Sequence, residues 1–144
     1  MHLKVAVAIV AALALVAAGC GGTETTTLGR AALVRRVETA CREAQNAAAR
    51  ESRATRTPDP IAALQTSQRV LVDKLEELEG TGAAKADFDA YKEGIRTRFD
   101  AIEKVASASR ADRQRVLRSV QADATAAARK LETAARRLGI EGCT

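Results

Sequence analysis

Four stretches of this chain set apolar residues at alternating steps of three and four. Three short breaks separate them: Pro58-Asp59-Pro60, Gly80-Thr81-Gly82 and Ser107-Ala108-Ser109. A repeat near 3.6 residues is the mark of helices that bury one face. No alternating run of β-branched residues competes with it, so no strand is expected. In the first stretch, Leu28 to Thr55, the stripe is Leu33, Val34, Val37, Cys41, Ala44 and Ala48. In the second it is Ile61, Leu64, Gln68, Leu71, Leu75 and Leu78, a coiled-coil-like seam interrupted only by Gln68. The third holds every aromatic residue, with Phe88, Tyr91, Ile95, Phe99, Ile102 and Ala106 in line. Rings bury roughly 150–250 Å² each, which makes this helix the expected centre of the core. The fourth runs Leu117, Val120, Ala124, Ala127, Leu131, Ala134 and Leu138 without a gap.

Local signals mark the helix ends. Asp59 is a capping residue with Pro60 behind it at the first helical position, where a missing N–H costs nothing. Ser109-x-x-Asp112 resembles a capping box with aspartate in place of glutamate. Gly139 suits the residue just past the fourth helix, with Ile140 able to pack back. Short turns between long helices favour antiparallel neighbours. The expected fold is therefore all-α, an antiparallel up-down-up-down four-helix bundle over residues 28–144, with helices one and four side by side.

Ahead of the bundle, residues 1–19 read as a signal peptide: Lys4, an apolar run over residues 5–18, and then Ala17-Ala18-Gly19-Cys20. Small residues before a cysteine let a peptidase approach the backbone there, and in a bacterial lipoprotein that cysteine carries the lipid. Ordinary secretion without a lipid and a retained membrane anchor are the alternatives. Against the anchor, fourteen helical residues span roughly 21 Å, short of the ~30 Å hydrocarbon core. The run GGTETTT that follows is small and polar, so residues 20–27 are expected to be a lipidated cysteine and a flexible tether.

The chain has three cysteines, and with Cys20 given to lipid, Cys41 and Cys143 remain. An even remainder in an exported protein is the composition of one disulfide, two buried thiols being the alternative. In an up-down bundle the tail from Gly139 to Cys143 reaches about 16 Å back along helix one, toward Cys41. A lipobox ending Gly19-Cys20, a polar tether, Cys41 inside the first helix and Leu138-Gly139-Ile140 before Cys143 resemble the small helical lipoproteins of actinobacteria. The resemblance implies a tethered bundle at the outer face of the cell membrane and carries over no catalytic residue.

Chemistry is read by subtraction. The single histidine, His2, leaves with the signal, so the mature chain has no imidazole for a nucleophilic triad or a histidine-containing metal site. No phosphate-binding glycine loop and no nucleophile elbow is present. The carboxylates of residues 76–103 interleave with lysine and arginine as on a solvated helix face. No enzyme, cofactor or metal is expected. Residues 28–57 and 109–138 carry net charges of +4 and +5, against −3 for residues 59–79. Arg113, Arg118, Arg136 and Arg137 are the candidate contacts to an anionic lipid surface or cell-wall polymer. Nucleic acid is not expected, because no aromatic residue interleaves with these arginines. Two roles fit: a non-catalytic interaction module of the cell envelope, which contacts a wall component or an envelope protein, or a carrier with a cavity between the helices. For the carrier, Gln68 and Tyr91 are the polar groups nearest the core stripes.

Overall fold

The computed structural model of the chain describes residues 25–54 and 59–143. It is mostly helical, with α1 (Arg30–Ala54), α2 (Pro60–Glu76), α3 (Ala83–Ser107) and α4 (Arg113–Leu138). The signal peptide, Cys20 and most of the expected tether lie outside the described residues.

The signals at the start of α2 and at the end of α4 act as their chemistry dictates, whereas the expected box before α4 forms a serine–aspartate turn and α4 starts after it, at Arg113, without a side-chain cap. Asp59 is in an extended conformation and its carboxylate accepts from the Ile61 N–H at 2.9 Å, satisfying a donor that α2 would otherwise leave unpaired. In the turn before α4, the Ser109 hydroxyl donates to Asp112 at 2.7 Å while the Asp112 N–H donates back to it at 3.2 Å. Arg115 adds an ion pair, and both contacts, the serine first, hold the Asp112 carboxyl below its ordinary value. At the other end of α4, Gly139 is left-handed at φ 83°. Its N–H donates to Arg136 O and the Ile140 N–H to Ala135 O, the paired closure known as a Schellman motif. Ile140 is buried, as its position past the glycine leads one to expect.

The expectation of no strand is corrected. Thr26–Leu28 (β1) and Leu78–Gly80 (β2) form a parallel pair with Thr26 opposite Leu78. Three residues are too few to show a period of two, and both segments are anchored by helices rather than by their own pattern. β1 leads into α1 and β2 into α3, and both helices start at the same end of the molecule. The pairing gives partners to backbone groups there, with the Thr26 N–H on Glu77 O at 2.8 Å and the Thr81 N–H on Leu28 O at 3.1 Å. It takes Thr26 and Thr27 out of the tether and stops α2 short of Gly80.

Each helix packs on the next in sequence, α1 on α2, α2 on α3 and α3 on α4. Cross-links fix the registers: Lys74 with Glu43, Arg96 with Glu76, Arg69 with Glu103, and Arg137 with Asp87. These pairs are mostly exposed and worth about 0.2–1 kcal/mol each, so burial rather than charge holds the helices together. The crossing of α3 and α4 is close at Gly94, where an added Cβ would lie 3.0 Å from Leu131 Cβ. Helices one and four do not lie side by side, as the sequence led one to expect. They meet at one end, where the Arg30 guanidinium donates to Arg137 O at 2.8 Å and Cys143 joins Cys41.

The core gathers at that same end. Leu33, Val37, Leu75, Phe88, Tyr91 and Ile95 are its largest fully buried side chains, with Leu131, Leu138 and Ile140 against them. Tyr91 donates from its buried hydroxyl to Cys143 O at 3.1 Å. Beyond Val37 the apolar side chains of α1 are Cys41 and then alanines only, and alanine cannot reach across to α4. The opposite half of the molecule is correspondingly thin.

Candidate functional site

Several of the sequence-derived candidates are structural in this fold. Cys41 and Cys143 form a disulfide pair with Cα atoms 5.9 Å apart, inside the range that a bridge requires. Tyr91 is fully buried and committed to the Cys143 carbonyl; burial pushes its phenol well up, against the nearby charge of Arg98. Gln68 is buried with its Oε1 unpartnered among the described residues. Neither Gln68 nor Tyr91 lines the groove described below. The four candidate arginines do not come together. From Arg113 to Arg136 is about 34 Å along α4, Arg136 pairs with Glu132 at 3.6 Å, and Arg137 pairs with Asp87 at 3.5 Å.

On α2 and α3, Glu76, Asp87, Asp89 and Glu103 are tied into ion pairs. Lys85 bridges Asp89 at 3.1 Å and Glu79 at 3.3 Å, which raises its pKa through the Asp89 hydrogen bond first. Among the described residues no group of three metal-ligating side chains gathers. No helix of these residues is long and apolar enough to cross a membrane.

What the thin half offers instead is an apolar groove of about 680 Å³ between the start of α2, the end of α3 and the first half of α4. Ile61 and Leu64 form one wall, Ala101, Ile102 and Val105 the floor, and Leu117, Val120 and Ala124 the other wall. Leu64 is 40 % exposed and Leu117 54 %, an unusual state for residues on helix stripes that point inward elsewhere. Physically the groove is a packing deficit: α1 contributes nothing to it, so large side chains of three helices face a space that no fourth helix among the described residues fills. Phe99, expected in the core, is half-buried and does not line the groove; the Arg69 guanidinium lies 5.9 Å above its ring.

One charged residue lines the groove. Arg98, half-buried on α3, has no hydrogen-bond or carboxylate partner among the described residues, and no acidic side chain lines the space around it. Its neighbours on α3 are unlike it, Lys92 pairing with Asp89 and Arg96 with Glu76. Thr125 and Gln121 supply the remaining polar edge, though the Thr125 hydroxyl is spent on Gln121 O at 2.8 Å. The arrangement can bind; it holds no acid–base pair and no nucleophile with a base beside it. Sequence reasoning missed Arg98, Leu64 and Leu117 as a set. The available signal was the loss of large residues from α1 after Val37, which leaves their partners uncovered. No protein-family model, curated protein or solved structure matches this chain.

Proposed function

We propose that the protein is a lipid-tethered module on the outer face of a bacterial cell membrane, and that it binds a hydrophobic ligand rather than catalysing a reaction. Cross-linked registers between successive helices support an antiparallel up-down-up-down bundle with its stapled end toward the membrane. Lipidation at Cys20 follows from the lipobox and the small residues before it. With β1 starting at Thr26, six residue steps from Cys20 reach at most about 21 Å, so the stapled end stays close to the lipid surface.

The observation that carries the binding role is the groove itself: about 680 Å³, apolar, and at the end away from the tether. Ligand sites of roughly 300–1,000 Å³ with a few placed polar groups are the usual form of a small-molecule pocket. That favours a carrier over a module that works through its basic surface, since the arginines of α4 are spread along the helix and half of those considered are already paired. Expression in a bacterium that processes lipoproteins, with a fatty-acid analogue in the medium, tests the anchor. Label and membrane fractionation are expected for the natural chain and neither for Cys20→Ala; label on the variant overturns the anchor. A neutral alkyl probe, decanol titrated calorimetrically, tests the groove. It should bind the natural chain and lose most of its signal in Leu64→Gln/Leu117→Gln, and an unchanged signal rejects the groove as its site.

A further inference from the structure

We infer that the groove takes a single unbranched alkyl chain ending in a carboxylate, a fatty-acid anion, with Arg98 as the residue that recognises the head. This rests on the groove being a ligand site and adds which ligand it selects.

Shape comes first. Along α4 the lining runs from Leu117 to Ala128, about 17 Å, which is long and narrow for a compact ring and suited to an extended chain. Its walls are aliphatic, and no aromatic side chain lines it, so a flat aromatic ligand would find nothing to stack on. A flexible alkyl chain asks only for continuous apolar surface, which Ile61, Leu64, Ile102, Val105 and Leu117 provide.

Charge comes second. Arg98 stands at the end of the groove nearer the core, opposite Ala128 and Thr125, while Val105 and Leu117 mark the outer end. A guanidinium on an apolar wall, with no carboxylate paired to it among the described residues, is an unmatched charge in a partly desolvated place. Its planar fork matches a carboxylate, and such a charge-assisted pair is stronger where water is excluded. The head would therefore meet Arg98 and the tail would lie outward toward Leu64 and Leu117. A second copy of this chain is a poorer occupant, because it would leave the Arg98 charge covered and unpaired.

The test uses the exported full chain with Cys20→Ser, which takes no lipid, titrated calorimetrically with dodecanoate and with dodecanol below their aggregation limits. The natural Arg98 protein should prefer dodecanoate by about tenfold to a hundredfold, the range of one hydrogen-bonded charge. Arg98→Gln should bring the two ligands within about twofold by weakening dodecanoate far more than dodecanol, with an unchanged circular dichroism melting curve showing that the variant is folded. Arg98→Lys should retain part of the preference. Across shorter alkanoates, Kd should fall about fourfold per methylene until the groove is filled. Equal binding of acid and alcohol, untouched by Arg98→Gln, overturns the head-group assignment and leaves the groove standing. Tighter binding of dodecyl phosphate than of dodecanoate overturns the carboxylate. Failure of both alkyl ligands to bind, or a chain that is a dimer until Leu117→Gln dissociates it, overturns the groove as a ligand site and the head-group assignment with it.

Discussion

Removing the bridge between Cys41 and Cys143 should cost this protein a large part of its stability. The two cysteines are 102 residues apart, so the bridge closes a loop almost as long as the folded region. In the chain-entropy model a loop near that length contributes about 4.7 kcal/mol at 25 °C. Typical domains have about 5–15 kcal/mol in total, and a core that depends on alanine over half its length belongs at the lower part of that range. For a folded region of residues 26–144, an unfolding entropy near 2.1 cal/mol/K per residue makes each kcal/mol worth about 4 °C. Cys41→Ser/Cys143→Ser should therefore melt roughly 15–20 °C below the oxidised chain in a circular dichroism scan at 222 nm. Reductant should lower the natural protein by a similar amount and leave the variant unmoved. Ile140 and the Tyr91 hydroxyl lose their fixed tail in the same step, which adds to the loss. A melting shift under about 3 °C, or two thiols that alkylate in the native exported protein, would refute this reasoning.

Two further predictions follow from buried contacts. Gly94→Leu should destabilise by about 2 kcal/mol in a urea titration, because overpacking of 1–3 kcal/mol or more against the backbone of Leu131 and Ala127 outweighs a helix-propensity gain near 0.8; a stabilised variant contradicts the close α3–α4 crossing. Tyr91 should make the fold sensitive to alkali. Its folded pKa is raised above the unfolded value of 10.0, so its contribution is whole below pH 10 and declines as pH rises toward the folded value, by up to about 1.4 kcal/mol per unit. Tyr91→Phe should lose about 1 kcal/mol at neutral pH with its hydrogen bond, yet show a shallower decline between pH 10 and 11.5; equal slopes contradict the burial.

Much of the fold was legible because local chemistry and periodicity agreed. Asp59 with Pro60 and Gly139 with Ile140 each state a helix end in two residues, and both act in the structure as those residues dictate; Ser109 and Asp112 bond to each other in the turn before α4, which starts at Arg113 without a side-chain cap. The strands were not legible, since Thr26–Leu28 and Leu78–Gly80 are set by where α1 and α3 begin rather than by their own side chains. The groove was hidden for a related reason. Leu64 and Leu117 sit on correct helical stripes, and a stripe reports which face turns inward without reporting whether anything stands opposite. Only the alanines at the far end of α1 carry that information, and their smallness signals a thin core before it signals an opening. Arg98 was masked by its place in a run of alternating charges, in which Lys92 and Arg96 have carboxylate partners and, among the described residues, it has none.

The central claim, a molecule packed and stapled at one end and open to a hydrophobic ligand at the other, is tested most directly by where a ligand lands. Backbone amide shifts of the exported Cys20→Ser chain, followed by NMR during titration with decanol, should move at residues 61–64, 101–105 and 117–124. Those of residues 33–41, 84–91 and 138–143 should stay in place. Largest shifts at the stapled end, or none at saturating decanol, would contradict the account.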